Sequence, residues 1–254
     1  MTDTLLATLL EIRERPRPIA PPSETRPLSV AEAYAVQDRL REGLVARGQQ
    51  VIGWKVGLTS AALQRAYDVA EPVGAFLLGS GVLSSGVEVP MSRFAALVVE
   101  AEIAFVMRSD LAGPGVTPPR ALLAVEGALP ALELVDFRMS GKPGATDLIA
   151  DGVFANAIVV GTALTPVAQL DLALEGLVYE LSGTVAATNT AAEVMGSPVN
   201  SLAWIANHLG ARGLGLRAGD IVMTGSISTL LRPKAGDTVR ASYTRLGSVS
   251  ARFV

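Results

Sequence analysis

The chain has 254 residues, of which 50% are hydrophobic, with 21 Lys and Arg against 24 Asp and Glu, for a formal net charge of −3. No Lys/Arg cluster interleaves with aromatics as a nucleic-acid surface requires, and no apolar run reaches the ~18–20 residues of a membrane span, so neither partner is expected. Zero cysteines and a single histidine exclude disulfide scaffolds, thiolate nucleophiles and multi-His zinc sites, which leaves carboxylates for any metal.

In chain order, Met1-Thr2-Asp3-Thr4 carries no basic stretch ahead of its short apolar run, so no secretory signal is expected and a cytoplasmic location is the default. Leu5, Leu9 and Ile12 fall on one side of a helix predicted over 4–15, which the proline-rich run 16–27 ends. Ser29 and Glu32 have capping-box spacing, and Ala33, Val36, Leu40 and Leu44 continue an amphipathic helix to about Gly48. Residues 50–58 form a strand with one lysine, Lys55, between Trp54 and Val56 and near glycines that allow close backbone approach. That placement suits a substrate-binding cation, and it equally suits a lysine whose stem crosses apolar surface while its amine reaches water. Thr59 or Ser60 can then cap a short helix through Tyr67.

From Phe76 onward the chain turns to short β-rich pieces separated by Gly and Pro. Strands are predicted over 87–89, 96–107, 131–137, 154–160, 177–181, 185–189, 221–224, 238–243 and 248–253, with helices over 118–126 and 199–209. This order gives an α+β fold with mixed or antiparallel sheets, divided near residue 80 into a helical N-terminal segment (1–80) and a β-rich catalytic domain (81–254). A mean hydropathy of +0.41 without a membrane span points to a homo-oligomer that covers surplus apolar surface.

The strand 97–107 carries the chemistry. Successive strand residues alternate faces, so Glu100 and Glu102 emerge together from a segment otherwise apolar on both sides. Two unpaired carboxylates in a core repel and are costly to bury, so they need shared protons, basic partners or a cation. Glu133, in the apolar stretch 130–137, is a third candidate, and three oxygen donors suit a hard ion such as Mg²⁺ or Mn²⁺. Glutamates held by arginines or facing solvent at a sheet edge are the competing account of the same residues. Gly225-Ser226 at the end of the strand 221–224 could offer N–H and O–H donors to an anion, or form a plain turn.

Together, Gly53-Trp54-Lys55-Val56-Gly57-Leu58-Thr59-Ser60, Glu100-Ala101-Glu102-Ile103-Ala104-Phe105, Ala131-Leu132-Glu133-Leu134-Val135-Asp136, Met195-Gly196-Ser197-Pro198-Val199-Asn200 and Gly219-Asp220-Ile221-Val222-Met223-Thr224-Gly225-Ser226 resemble the 2-keto-4-pentenoate hydratase and 4-oxalocrotonate decarboxylase family of the fumarylacetoacetate hydrolase superfamily. The resemblance implies a mixed β-roll body with a smaller helical N-terminal segment, and a Mg²⁺ or Mn²⁺ site on Glu100, Glu102 and Glu133. It also implies a catalytic Lys55 and substrate contacts at Thr224, Ser226 and Asp151. The implied activity is a lyase acting on a short 2-oxo acid: hydration of a 2-hydroxydienoate such as 2-hydroxypenta-2,4-dienoate, or decarboxylation of a 4-oxalocrotonate-like 2-oxo-enedioate. A non-catalytic subunit that stabilises a homologous enzyme of the same catabolic sequence is a further alternative. Two departures bear on this. Where family hydratases carry an acid in Pro-Asp-Phe-Gly, this chain has Pro72-Val73-Gly74-Ala75, and the family's Ala-Asp-Asn stretch is here Ala150-Asp151-Gly152.

Overall fold

The computed structural model describes residues 2–254 and is of the α+β class that the sequence predicts. In chain order the elements are α1 (Thr2–Glu14), α2 (Val30–Ala46), β1 (Val51–Gly57), α3 (Ala61–Ala66), β2 (Val73–Leu78), β3 (Val82–Ser84), β4 (Val87–Val89), β5 (Leu97–Met107), α4 (Pro118–Leu123), β6 (Val125–Asp136), α5 (Ala145–Asp151), β7 (Ala157–Val160), β8 (Gly176–Leu181), β9 (Thr184–Thr190), α6 (Pro198–Ala211), β10 (Ile221–Met223), β11 (Thr238–Tyr243) and β12 (Gly247–Phe253). Among these residues no helix is long and apolar enough to cross a membrane.

The strands form two mixed sheets, one of seven in the order β2-β1-β10-β5-β6-β7-β3 and one of five in the order β4-β12-β11-β8-β9. The long pair β5 and β6 is the spine of the first, and one of its faces packs on the second sheet through side chains such as Phe105, Tyr179, Val239 and Phe253. Tyr179 and Tyr243 reach across and donate their hydroxyls to the carbonyls of Val99 (3.0 Å) and Glu102 (2.7 Å), which fixes β5 from behind. The opposite face of the spine carries the carboxylates, beside a small apolar cluster that includes Leu77, Ala104, Ala131 and Met223.

Of the elements before residue 80, α1 and α2 precede the first strand, whereas β1 and β2 pair into the seven-stranded sheet. Helix α2 starts as its capping box dictates, with the Ser29 hydroxyl accepting from the Glu32 N–H and the Glu32 carboxylate accepting from the Ser29 N–H. Its buried Gln37 donates to the carbonyls of Gly74 and Ile149, which ties β2 to α5. The helix predicted over 118–126 is shorter, because Val125 already pairs with Met107 in the β5–β6 ladder and Glu126 sits at the irregularity that follows. Residues 154–156, predicted as strand, instead belong to the turn between α5 and β7.

Candidate metal centre and substrate cavity

The β5–β6 register decides the site. Glu100 pairs with Glu133 directly across the antiparallel ladder, and Glu102 lies two residues along the same face, opposite Ala131. One carboxylate oxygen from each of Glu100, Glu102 and Glu133 lies within 4.8 Å of the others. Lys55 joins them from β1: its ammonium is 2.5 Å from Glu133 Oε1 and donates to the Val153 carbonyl at 3.1 Å. Gly53 makes this possible, since β1 runs so close to β10 that a Cβ there would stand 1.9 Å from the Ile221 carbonyl oxygen.

Three carboxylates face one ammonium, all essentially buried except Glu100, which opens to the cavity. Burial, then the charge of Glu133, raises Glu100 to about 7 against the opposing pull of Lys55. Burial, followed by Glu133 and Glu100, pushes Glu102 well above the usual carboxylate range. For Lys55 burial works against the charge, but Glu133, Glu100 and Glu102 together outweigh it and hold the ammonium above the ordinary lysine value. The Gly225 N–H donates to Glu102 Oε2 at 2.8 Å, whereas Glu102 Oε1 and Glu133 Oε2 have no hydrogen-bond donor. Orphaned carboxylate oxygens in an over-acidic cluster suit a cation ligand set, and an all-oxygen donor set fits Mg²⁺ or Mn²⁺. The residues fit the ion.

Above Glu100 and Lys55 opens a cavity of about 480 Å³, walled by segment 56–60, α3, the end of β6, the 153–154 turn, the end of β9 and segment 226–230. Ser226 lines it, and so do Thr59 and Ser60, which the sequence marks only as helix caps, together with Asn189 and Glu193, which carried no sequence signal. Gly225, beside them, has a φ of +113°, and a Cβ there would meet the Thr59 side chain at 2.5 Å, so only glycine lets segment 224–226 approach the stretch after β1 this closely.

Two expected substrate contacts lie elsewhere. Thr224 is fully buried behind the wall, its hydroxyl donating to the Ile103 carbonyl (2.7 Å) while its own carbonyl accepts from Ser201 (2.7 Å), so it fastens β10 to β5 and α6. Asp151 is likewise buried and off the cavity, in an ion pair with Arg138 (2.7 Å) and near Arg13 (3.9 Å). Its position at the last turn of α5 directs the carboxylate into the core instead of toward substrate. That cluster acts on the site indirectly. Arg13 donates to the Asp151 and Ala155 carbonyls and Arg138 to the Ala155 carbonyl, which clamps the turn whose Val153 carbonyl holds Lys55.

The fumarylacetoacetate hydrolase C-terminal family model matches residues 55–254. A 4-oxalocrotonate decarboxylase of Pseudomonas sp. (strain CF600) is 36% identical over 89% of this chain and 86% of its own. A 2-hydroxyhexa-2,4-dienoate hydratase of Comamonas testosteroni is 34% identical over 96% and 94% respectively. Among solved structures, the 4-oxalocrotonate decarboxylase of Pseudomonas putida G7, complexed with magnesium and adipate, superposes with a TM-score of 0.94 at 31% identity, covering 100% of this chain and 99% of that one.

Proposed function

The chain belongs to the fumarylacetoacetate hydrolase family, and from that premise we propose that it is a metal-dependent lyase that hydrates a short 2-hydroxydienoate or 2-oxo-enoate such as 2-hydroxypenta-2,4-dienoate. The observation that carries the proposal is the convergence of Glu100, Glu102, Glu133 and Lys55 in one cluster that opens to the cavity through Glu100 and Lys55. The three glutamates would hold Mg²⁺ or Mn²⁺. When bound, the ion supplies a Lewis acid that stabilises negative charge on a 2-oxo oxygen.

The protein's own groups account for the rest. Lys55, kept charged by its carboxylate neighbours, presents an ammonium that can hold the substrate carboxylate or give a proton at Nζ to the carbon chain. On the wall, the Ser60 hydroxyl and the Asn189 amide N–H offer donors and the Ser226 hydroxyl, which donates to the Ser228 carbonyl, offers an acceptor, and these orient the head of the substrate. The apolar remainder, including Val135, Phe137, Phe154 and Ile227, packs along the conjugated chain and lowers the local dielectric, which strengthens the electrostatics at the floor.

Val73 favours a second reading, decarboxylation of a 4-oxalocrotonate-like 2-oxo-enedioate. It stands where family hydratases carry an acid, and its methyl would lie 3.4 Å from a Cβ at the wall residue Gly57. The C–C bond to the distant carboxylate would break and its electron pair would pass into the dienolate, with no acid needed at residue 73. Mass analysis of products separates the readings: gain of water supports hydration and loss of CO₂ supports decarboxylation. Glu102→Gln keeps the shape but removes a charge, and is expected to weaken metal binding and abolish turnover. Equal metal affinity in wild type and Glu102→Gln, measured by calorimetry, would return the carboxylates to a structural role. Turnover by the isolated chain would reject a non-catalytic, partner-stabilising subunit.

A cytoplasmic homo-oligomer, with association to a homologous enzyme of the same catabolic sequence, completes the proposal. Light scattering that gives a mass near 26 kDa at micromolar concentration would refute the oligomer.

A further inference from the structure

We infer that the open end of the cavity accepts an uncharged, apolar tail, so that the substrate is a monocarboxylate extended beyond the dienoate core and not a dicarboxylate. The inference rests on the reading above that the 2-oxo acid head sits at Glu100, Glu102 and Glu133. Exposure then orders the cavity. Its floor is Lys55, 3% exposed, and Glu100, which is clustered with the fully buried Glu102 and Glu133, whereas its rim holds Leu63, 45% exposed, and Leu230, 42% exposed. Between floor and rim the apolar part of the wall is Val135, Phe137, Leu148, Phe154, Ile227 and, just after α3, Tyr67.

Charge decides what the outer half can take. Among the described residues Lys55 is the one cation on the wall, and it is committed to Glu133 and the Val153 carbonyl at the floor. The remaining charged wall residues are Glu100 and the exposed Glu193, both acids. The cations of the flanking segments do not reach the wall. Arg65 is two residues from Leu63 on α3 and therefore on another face of that helix. Arg232 stands behind Phe137, its guanidinium carbon 5.5 Å from the ring centroid. A second carboxylate would lose its hydration against leucine and phenylalanine, gain no ion pair and approach Glu193. An alkyl or alkenyl tail would instead cover Leu63 and Leu230. A volume of about 480 Å³ has room for one, since pockets of ~300–1,000 Å³ take ligands far larger than a five-carbon acid.

Three stable 2-oxo acids test this on Mg²⁺-loaded protein by calorimetry: pyruvate, which is head alone; 2-oxohexanoate, which adds an apolar tail; and 2-oxoadipate, of the same chain length with a terminal carboxylate. Each methylene buried adds roughly fourfold in affinity, so 2-oxohexanoate is expected to bind at least about tenfold more tightly than pyruvate. It is also expected to bind at least about tenfold more tightly than 2-oxoadipate. Leu63→Arg, a change at an exposed rim position, should narrow or invert the second ratio. Pyruvate binding combined with equal or tighter binding of 2-oxoadipate would overturn the inference and leave the metal-site reading standing. A six-carbon dienedioate turned over with a higher kcat/KM than its monocarboxylate counterpart would overturn it as well. No Mg²⁺-dependent binding of pyruvate would instead remove the head-group reading, and the inference with it.

Discussion

Glu100→Gln should change the stability of the protein in opposite directions with and without metal. In the metal-free protein the Glu100 carboxyl titrates near 7 instead of 4.5, because burial and the Glu133 charge disfavour its ionised form. One pKa unit corresponds to about 1.36 kcal/mol, so above pH 7 the ionised Glu100 costs the fold up to about 3 kcal/mol. The carboxyl opens partly to the cavity, and solvent screening reduces this to the order of 1–3 kcal/mol. The folded protein keeps this proton between about 4.5 and 7 while the unfolded chain has lost it. Stability therefore falls as pH rises through that window and stays low above it. A neutral, isosteric amide removes the penalty, so metal-free Glu100→Gln should melt about 2–12 °C above wild type at pH 8, at ~2–4 °C per kcal/mol for a chain of this size. The gap should shrink as pH falls toward 5. Mg²⁺ reverses the order: at a hundred times its dissociation constant it stabilises the wild type by about 2.7 kcal/mol, and the variant, short of one ligand, gains far less. Thermal melts of both proteins at pH 5 and pH 8, with EDTA and with Mg²⁺, provide the test. Equal melting temperatures at pH 8 in EDTA, with equal shifts on adding Mg²⁺, would refute both the crowding of charge and the metal site.

Three further outcomes are expected. Lys55→Met removes the ammonium that faces the buried Glu133 carboxylate, so it should destabilise the metal-free protein by about 3–5 kcal/mol in denaturant titrations and lower kcat by ~10²–10⁴ in the Mg²⁺ form. Arg138→Met removes the nearer partner of the buried Asp151 and the partner of the buried Asp136, leaving only Arg13 at 3.9 Å from Asp151, so it should lower the unfolding free energy by a similar ~3–5 kcal/mol and reduce turnover although it is off the cavity, with Arg138→Lys recovering part of both. His208 is held down to about 4, by burial first and by Arg212 second, so the unfolded chain takes up a proton at ~6.5 that the folded protein refuses until about pH 4. Stability is accordingly lost as pH falls through that window, by an amount on the order of 1–2 kcal/mol after allowing for partial exposure, and His208→Gln should flatten this slope in urea midpoints between pH 7 and pH 5.

Local signals in the sequence survived intact where the physics is local. The capping box of α2 needs only Ser29 and Glu32 at the right spacing, and Glu100 and Glu102 share a face because strand residues alternate. Whether Glu133 would join them depended on register across a connection that contains α4, which no spacing rule reveals. Strand β2 escaped notice because six apolar residues after Pro72 carry no periodicity, and β3 because three residues are too few to show any. Helix α5 begins at Gly144 with no side-chain cap of its own. The carboxylate of Asp147 accepts from the Gly144 N–H and also from Ser23, 124 positions away, so the start of this helix is set partly by tertiary contact.

Asp151 shows how a charge near a site motif can be misread. The sequence places it among substrate contacts, yet its partners are two arginines, one from α1 and one just after β6. The geometry between them explains why a buried ionic cluster sits under an active-site lysine. Val153 and Phe154 both adopt left-handed backbone, with φ of 52° and 55°, a conformation that costs on the order of 1–3 kcal/mol per residue and is rare for a β-branched side chain. Such a turn persists only if its surroundings over-determine it. Here Arg13 and Arg138 hold the Ala155 carbonyl, Arg13 also holds that of Asp151, and the Asp136 N–H holds that of Phe154. With the carbonyls on either side fixed, the Val153 carbonyl has one direction left, and it faces the Lys55 ammonium. Asp151 keeps both guanidinium groups in place, so its influence on the chemistry passes through backbone and not through contact with substrate. A neutral residue at 151 would leave the cavity wall unchanged in composition while freeing the turn that positions its one cation.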